Sequence, residues 1–293
     1  MYDMLIRKKA LKIQERLGMR IGIMYGTTKR PIVKNPAETL DVLKDLYKIG
    51  LRAFVLPKEM FAKIHSTSDL YKQHYADLIK IKETAQKLGI ELALHHDKLT
   101  DNPDETLRTF ANIASIMDAR AFIIHPTFYA NMPQDQALKL VVYKINEIVV
   151  NLRAQARIGV ETTGKMNQLG TVEEVIDIAK RTQSTEPVLN WAHIHARGTG
   201  ALRSQSDFRA ILDMVRRSIG QSWLGNAYFL FSGISYGPSG EIKHIPLANA
   251  DINLEYLIRE VMSLNIKGTL IFEDPDRDRF VLKMLDKLAD MVR

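Results

Sequence analysis

Short apolar runs alternate with amphipathic helical patterns eight times along this chain, and that repetition constrains the fold more than any other feature. Strand-like runs stand at Arg20–Tyr25, Ala53–Leu56, Glu91–His95, Ala121–His125, Ile158–Glu161, Val188–His193, Ala227–Phe231 and Thr269–Glu273. Helical periodicity fills the intervals at Pro36–Lys48, Asp69–Leu88, Pro103–Met117, Gln134–Gln155, Val172–Lys180, Asp207–Ile219, Leu254–Leu264 and Arg279–Val292. Helix-end chemistry agrees with these limits. Thr171-Val-Glu-Glu174 reads as a capping box. Gly50 and Gly89 follow their helices where a left-handed residue is wanted, and Pro36, Pro103 and Pro133 fall near helix starts. A further amphipathic segment, Asp3–Leu17, predicts a short helix ahead of the first strand.

Two strands joined through a helix lie parallel, because the crossover needs a long connection. Eight such units close into an α/β fold, a single (β/α)8 TIM barrel. An open doubly wound sheet is the alternative, but no G-x-G-x-x-G follows the first strand. Neither a linker nor a low-complexity segment divides the chain. The reading is an N-terminal helical extension over residues 1–18 and one barrel over 19–293.

Composition excludes several chemistries. There is no cysteine, which rules out disulfides, thiolate metal sites and a cysteine nucleophile. Any metal must be held by His, Asp, Glu, Asn or water. The apolar runs are too short to span a bilayer, and residues 1–18 are too charged for a signal peptide, so a cytoplasmic protein is expected. The net charge of +7 suits a polyanionic partner such as nucleic acid, though many basic enzymes bind no polymer.

Sites of such barrels lie at the C-terminal ends of the strands. The third run ends in His95-His96-Asp97, the fourth in His125-Pro126 and the fifth in Glu161-Thr-Thr-Gly-Lys165. The sixth carries Asn190, His193 and His195; Ser232-Gly233 and Glu241-Ile-Lys-His244 follow the seventh; the eighth ends in Glu273-Asp-Pro-Asp276. Of eight histidines, only His65 and His74 lie elsewhere. Adjacent His95 and His96 point to opposite faces of a strand, so at most one is a ligand. Each residue alone has a structural explanation: a satisfied core histidine, a Glu–Lys pair, a turn aspartate. Converging imidazoles and carboxylates are costly to bury together unless compensated, and a divalent cation is the simplest compensation.

The chain resembles the endonuclease IV family of apurinic/apyrimidinic endonucleases, within the xylose-isomerase-like TIM-barrel superfamily, and looks closest to its archaeal branch. The resemblance rests on Gly159-Val-Glu-Thr-Thr-Gly-Lys-Met-Asn-Gln-Leu-Gly170, Asn190-Trp-Ala-His-Ile-His-Ala-Arg197, Phe231-Ser-Gly-Ile-Ser-Tyr-Gly237, Gly240-Glu-Ile-Lys-His244 and Phe272-Glu-Asp-Pro275. It runs from about residue 20 to the end. In endonuclease IV three zinc ions polarise the phosphodiester 5′ to an abasic sugar. The resemblance implies a first metal on His95, His125 and Glu161. A second would use Glu161, Glu273, an aspartate where Asn190 stands and a histidine where Leu230 stands. A third would use His193, His244 and an aspartate where Ile242 stands, with Glu241 adjacent as a substitute. Asn190 can offer a metal a carbonyl oxygen but no charge, and Leu230 offers no donor, so one or two Zn2+ or Mn2+ ions are expected rather than three.

Three functions follow from this reading. The first is a metal-dependent phosphodiesterase acting on abasic or damaged DNA, with Lys29, Arg30, Lys165, Arg197 and Arg203 reaching phosphates. The second is a single-metal sugar isomerase or epimerase, with Glu161 and Glu273 as the catalytic carboxylates. The third is a catalytically reduced nucleic-acid-binding homologue. No obligate protein partner is implied.

Overall fold

The structure is a computed structural model that describes residues 2–96, 103–127, 132–151 and 157–293. Its strands are β1 (Met19–Met24), β2 (Ala53–Pro57), β3 (Glu91–His96), β4 (Ala121–Ile124), β5 (Arg157–Glu161), β6 (Thr185–Asn190), β7 (Ala227–Phe231), β8 (Gly233–Gly237), β9 (Gly240–Ile245) and β10 (Gly268–Phe272). Eight of them close a parallel barrel in the order β1-β10-β7-β6-β5-β4-β3-β2, while β8 and β9 form a separate antiparallel hairpin. The (β/α)8 barrel expected from the alternation is therefore present.

Side chains alternate across each strand, and this splits the apolar residues into two layers. Met24, Val55, Ala93, Ile123, Val188, Tyr228, Leu230 and Ile271 are among those filling the barrel interior. Residues such as Phe54, Leu94, Phe122, Leu189, Phe229 and Phe272 join the helices in the larger outer core. A chain this long buries enough apolar surface to make the interior a packed plug rather than a pore.

Local chemistry sets the helix ends. Asn35 accepts the Glu38 amide at 3.0 Å to start helix Pro36–Ile49, and Gly50 at φ 81° ends it. Thr171 and Glu174 form the expected capping box ahead of helix Val172–Arg181. At the N-terminal end of the barrel, buried Glu186 takes an ion pair from two guanidinium nitrogens of Arg120, and Arg157 joins at 3.4 Å. In such barrels that end serves stability rather than chemistry.

One local expectation is corrected. The sixth run does not continue to His193: β6 stops at Asn190, and Trp191–Arg197 is a short helix. The cause is Asn190 itself, whose side-chain oxygen accepts the His193 amide at 3.2 Å as an N-cap. The segment after the seventh run is the hairpin β8–β9, whose bend is Pro238-Ser239. Helix Gln134–Asn151 is described to residue 151, so the expected helical residues 152–155 lie outside the described residues, as does Asp97. Among the described residues, no helix is long and apolar enough to cross a membrane.

Candidate metal centre

The C-terminal barrel mouth gathers the expected residues from separate elements. His95, on β3, turns inward, while His96 faces outward and meets Phe110 edge-on at 4.9 Å. His125 follows β4, and Glu161 ends β5. His95 Nε2 stands 2.9 Å from Glu161 Oε2, and His125 Nε2 3.3 Å from Glu161 Oε1. Donor atoms of these three residues lie within 4.8 Å of one another.

Whether this group suits a cation is decided by its unused atoms. His125 Nε2 is buried and makes no hydrogen bond, although it faces the carboxylate. Two imidazole nitrogens and a carboxylate oxygen form a donor set appropriate to Zn2+ or Mn2+. The far nitrogen of His95 is also controlled: Nδ1 lies 3.0 Å from the Tyr25 hydroxyl. Such a partner fixes which nitrogen faces the metal. Tyr25 adopts φ 72°, a left-handed conformation that is strained for a bulky side chain. Burial opposes ionisation of Glu161, but the neighbouring His125 and His95, with His193 Nδ1 at 3.2 Å from Oε1, outweigh it. Its carboxyl is held well below the usual carboxylate range.

A second group forms above β6 from His193, Glu241 and His244, again with donor atoms within 4.8 Å. His193 Nε2 is 3.6 Å from Glu241 Oε2 and 3.2 Å from His244 Nε2. Each histidine is tied at its other nitrogen. His193 Nδ1 donates to the Thr162 carbonyl at 2.8 Å, and His244 Nδ1 meets Ser232 Oγ at 2.6 Å. Both Nε2 atoms are thereby presented to the shared space. Burial works against a charge on His193, yet Glu161, Glu241 and Glu273 push its pKa up to about 9. Glu241 supplies the carboxylate; Ile242 is exposed and points away.

Between the groups the chain departs from a continuous cluster. Asn190 Nδ2 donates to Glu161 Oε1 at 2.9 Å and to Glu273 Oε2 at 3.1 Å. Its oxygen is spent on the helix cap, so the amide cannot turn over and offer a carbonyl instead. Leu230 pairs with Asn190 across the β6–β7 ladder and is buried in the apolar interior. An N–H group therefore stands between the carboxylates, over a floor without donors. Glu273 faces a cleft of about 230 Å3 lined by Met24, Tyr25, His244, Glu273, Asp274, Pro275 and Arg277.

The basic residues fall into two sets. Lys29, Lys165 and Arg203 are exposed. Arg30 is paired with Asp41 at 2.8 Å, and Arg197 donates to Thr163 Oγ1 and to the carbonyls of Lys165 and Met166 at 3.2, 2.6 and 3.3 Å. Arg203 Nε donates to the Gly200 carbonyl at 2.8 Å. Sequence reasoning missed Tyr25, which carries no signal beyond ending a strand.

The model of the xylose isomerase-like TIM barrel family matches residues 43–292. The chain belongs to this family. Among curated proteins, the uncharacterized protein MJ0133 of Methanocaldococcus jannaschii is 25% identical over 270 residues, which cover 88% of this chain and 94% of that protein. Two solved structures share the fold. A D-psicose 3-epimerase from Clostridium cellulolyticum H10, determined with D-tagatose, is 14% identical, covers 94% of this chain and 96% of its own, and has a TM-score of 0.59. The IOLI protein, described with a bound zinc atom, is 12% identical, with 94% and 95% covered and a TM-score of 0.58.

Proposed function

We propose that this barrel is a metal-dependent isomerase or epimerase of a small polyhydroxylated carbonyl compound. The observation that carries the reading is the position of the Asn190 amide between Glu161 and Glu273. With that amide between them, Glu161 stands with His95 and His125, while Glu273 Oε2 lies outside that group, 3.6 Å from His244 Nε2. A cation bound by His95, His125 and Glu161 would supply Lewis acidity toward a carbonyl and its neighbouring hydroxyl. Glu273, at the cleft wall, is then placed to take a proton from the carbon beside that carbonyl. Returning the proton to the adjacent carbon, while the hydroxyl proton passes to the former carbonyl oxygen, isomerises the substrate; delivery of a proton by a second acid on the opposite face epimerises it, and neither involves net oxidation. Asn190 orients the Glu273 carboxylate for this task. The 230 Å3 cleft falls below the roughly 300–1,000 Å3 of drug-sized sites, which favours a small substrate.

The reading is tested by incubating chelator-free protein with a panel of ketoses and aldoses in D2O and following carbon-bound deuterium by NMR. Glu273→Gln is expected to lose exchange while keeping its metal, and Glu161→Gln to lose both. Absence of exchange from every sugar in the metal-loaded protein would sink it. The presence of two separate metal-capable groups favours a second reading, hydrolysis of phosphodiesters in abasic or damaged DNA. Cleavage of an abasic-site duplex that depends on both Glu161 and Glu241 would select that reading instead.

A further inference from the structure

The two histidines of helix Trp191–Arg197 face opposite ways, as residues two apart on a helix must. His193 enters the barrel mouth. His195, fully buried, turns to the other side, where its Nδ1 accepts the Leu202 amide at 3.1 Å. The proton therefore sits on Nε2, which donates to Asp251 Oδ1 at 2.9 Å. The other oxygen of Asp251 accepts the Tyr236 hydroxyl at 2.6 Å. Tyr236 lies on β8, and its ring meets that of His195 edge-on at 5.3 Å. Ala192 and Ala196 of the helix pack against Ile234 of the same strand.

The donors of the second metal-capable group come from two elements that the barrel ladder does not join. His193 is on the helix; Glu241 and His244 are on β9. The hairpin forms a sheet of its own, and a lone hairpin has little stability without side contacts. Its tip is held by backbone bonds, with the Glu241 amide donating to the Gly164 carbonyl at 2.9 Å and the Met166 amide to the Ser239 carbonyl at 3.1 Å. On the other strand of the same end, Tyr236, which pairs with Glu241, is held through Asp251 to His195.

We infer that His195 is a positioning residue for the second group: through Asp251 and Tyr236 it fixes the hairpin against the helix that carries His193, and so brings Glu241 and His244 to His193. The metal part of this inference rests on the reading of that group as a cation site. The ordering of the hairpin does not, which keeps the two separable.

Hydrogen exchange at residues 233–245 is read on metal-free protein, and Zn2+ stoichiometry and affinity by competition with a chelating dye. Tyr236→Phe removes a partly exposed hydroxyl without opening the core. It is expected to speed hairpin exchange at least ten-fold with the barrel strands unchanged, and to weaken the Zn2+ lost in Glu241→Gln at least ten-fold while sparing the other. His195→Phe should act likewise, and His195→Gln, whose amide can donate to Asp251, should recover most of the loss. Unchanged hairpin exchange in both Tyr236→Phe and His195→Phe overturns the inference, as does equal weakening of both ions. If the wild type takes up a single Zn2+, the cation reading of the second group fails. In that case accelerated hairpin exchange still supports the positioning role, and unchanged exchange overturns it.

Discussion

The Asn190 amide donates to Glu273 Oε2 at 3.1 Å, reaching from β6 to β10 across Leu230 of the intervening β7. A neutral side chain thus ties the carboxylate that we propose as the base to the wall of the site. The remaining metal-capable residues divide into two groups around this bond.

Replacing Asn190 with Asp removes donors to two carboxylates and adds a third negative charge beside them. In metal-free protein we expect a loss of about 2–4 kcal/mol, the scale of charge-assisted hydrogen bonds. That corresponds to a melting temperature lower by roughly 3–7 °C. Saturating Zn2+ or Mn2+ should restore it by more than the same ion stabilises the wild type. Calorimetry with and without metal checks this, and an equal response in both proteins would count against the bridging geometry.

Tyr25→Phe deletes the hydroxyl 3.0 Å from His95 Nδ1 and leaves the packing in place. Loss of such an outer partner typically costs 10–100-fold in metal affinity. Affinity at the His95, His125 and Glu161 group should fall by about that factor, with the ion at the second group unaffected. Chelator competition resolves the two. No change at the first group would remove Tyr25 from its support.

The metal-free protein should respond to pH through His193. Its pKa is raised from 6.5 to about 9, so its contribution to stability is complete below about 6.5 and is lost as pH rises through 9. Glu161 acts at the other end. Its depressed pKa gives stability present above the ordinary carboxylate range and lost as pH falls through the lowered value. Melting temperatures of chelator-treated protein should fall from pH 7 to 9, and His193→Gln should flatten that slope. Metal binding at the second group must displace the proton, so its affinity should rise over the same interval.

Gly240 sits at φ 89°, and a Cβ there would lie 2.2 Å from the Gly164 carbonyl oxygen. Gly240→Ala is expected to cost about 1–3 kcal/mol and to push the hairpin tip from the β5 loop. The ion at His193, Glu241 and His244 should bind more weakly while the other is retained. Unchanged stoichiometry and affinity at both groups would show that the tip contact does not place Glu241.

The barrel was legible in the sequence because alternation at two distinct periods survives even where strand ends blur. Examining strand ends brought out His95, His125, Glu161, His193, His244 and Glu273, all of which meet at one mouth. Helix Trp191–Arg197 was not legible. Apolar residues alternating with His193 and His195 look like a strand, and the decisive bond is a cap made by Asn190 that only geometry reveals. The hairpin was hidden for a related reason, since Gly233, Gly237 and Gly240 read as loop punctuation. Tyr25 and Asp251 act through contacts between residues far apart in sequence, Tyr25 with His95 and Asp251 with His195, and local pattern carries no trace of such pairs.

The cap at Asn190 has an evolutionary corollary. Aspartate caps a helix about as well as asparagine, so the helix does not dictate which stands there. The choice is set by what the Asn190 Nδ2 meets, Glu161, Glu273 and the Nε2 of His193 at 3.4 Å. A single substitution therefore separates a neutral tie from a charged ligand without disturbing the backbone around it. Leu230, buried among apolar residues, makes the complementary change harder, because an imidazole there would have to be desolvated before a cation arrived. A lineage moving between one kind of site and the other would be expected to change position 190 first and position 230 second.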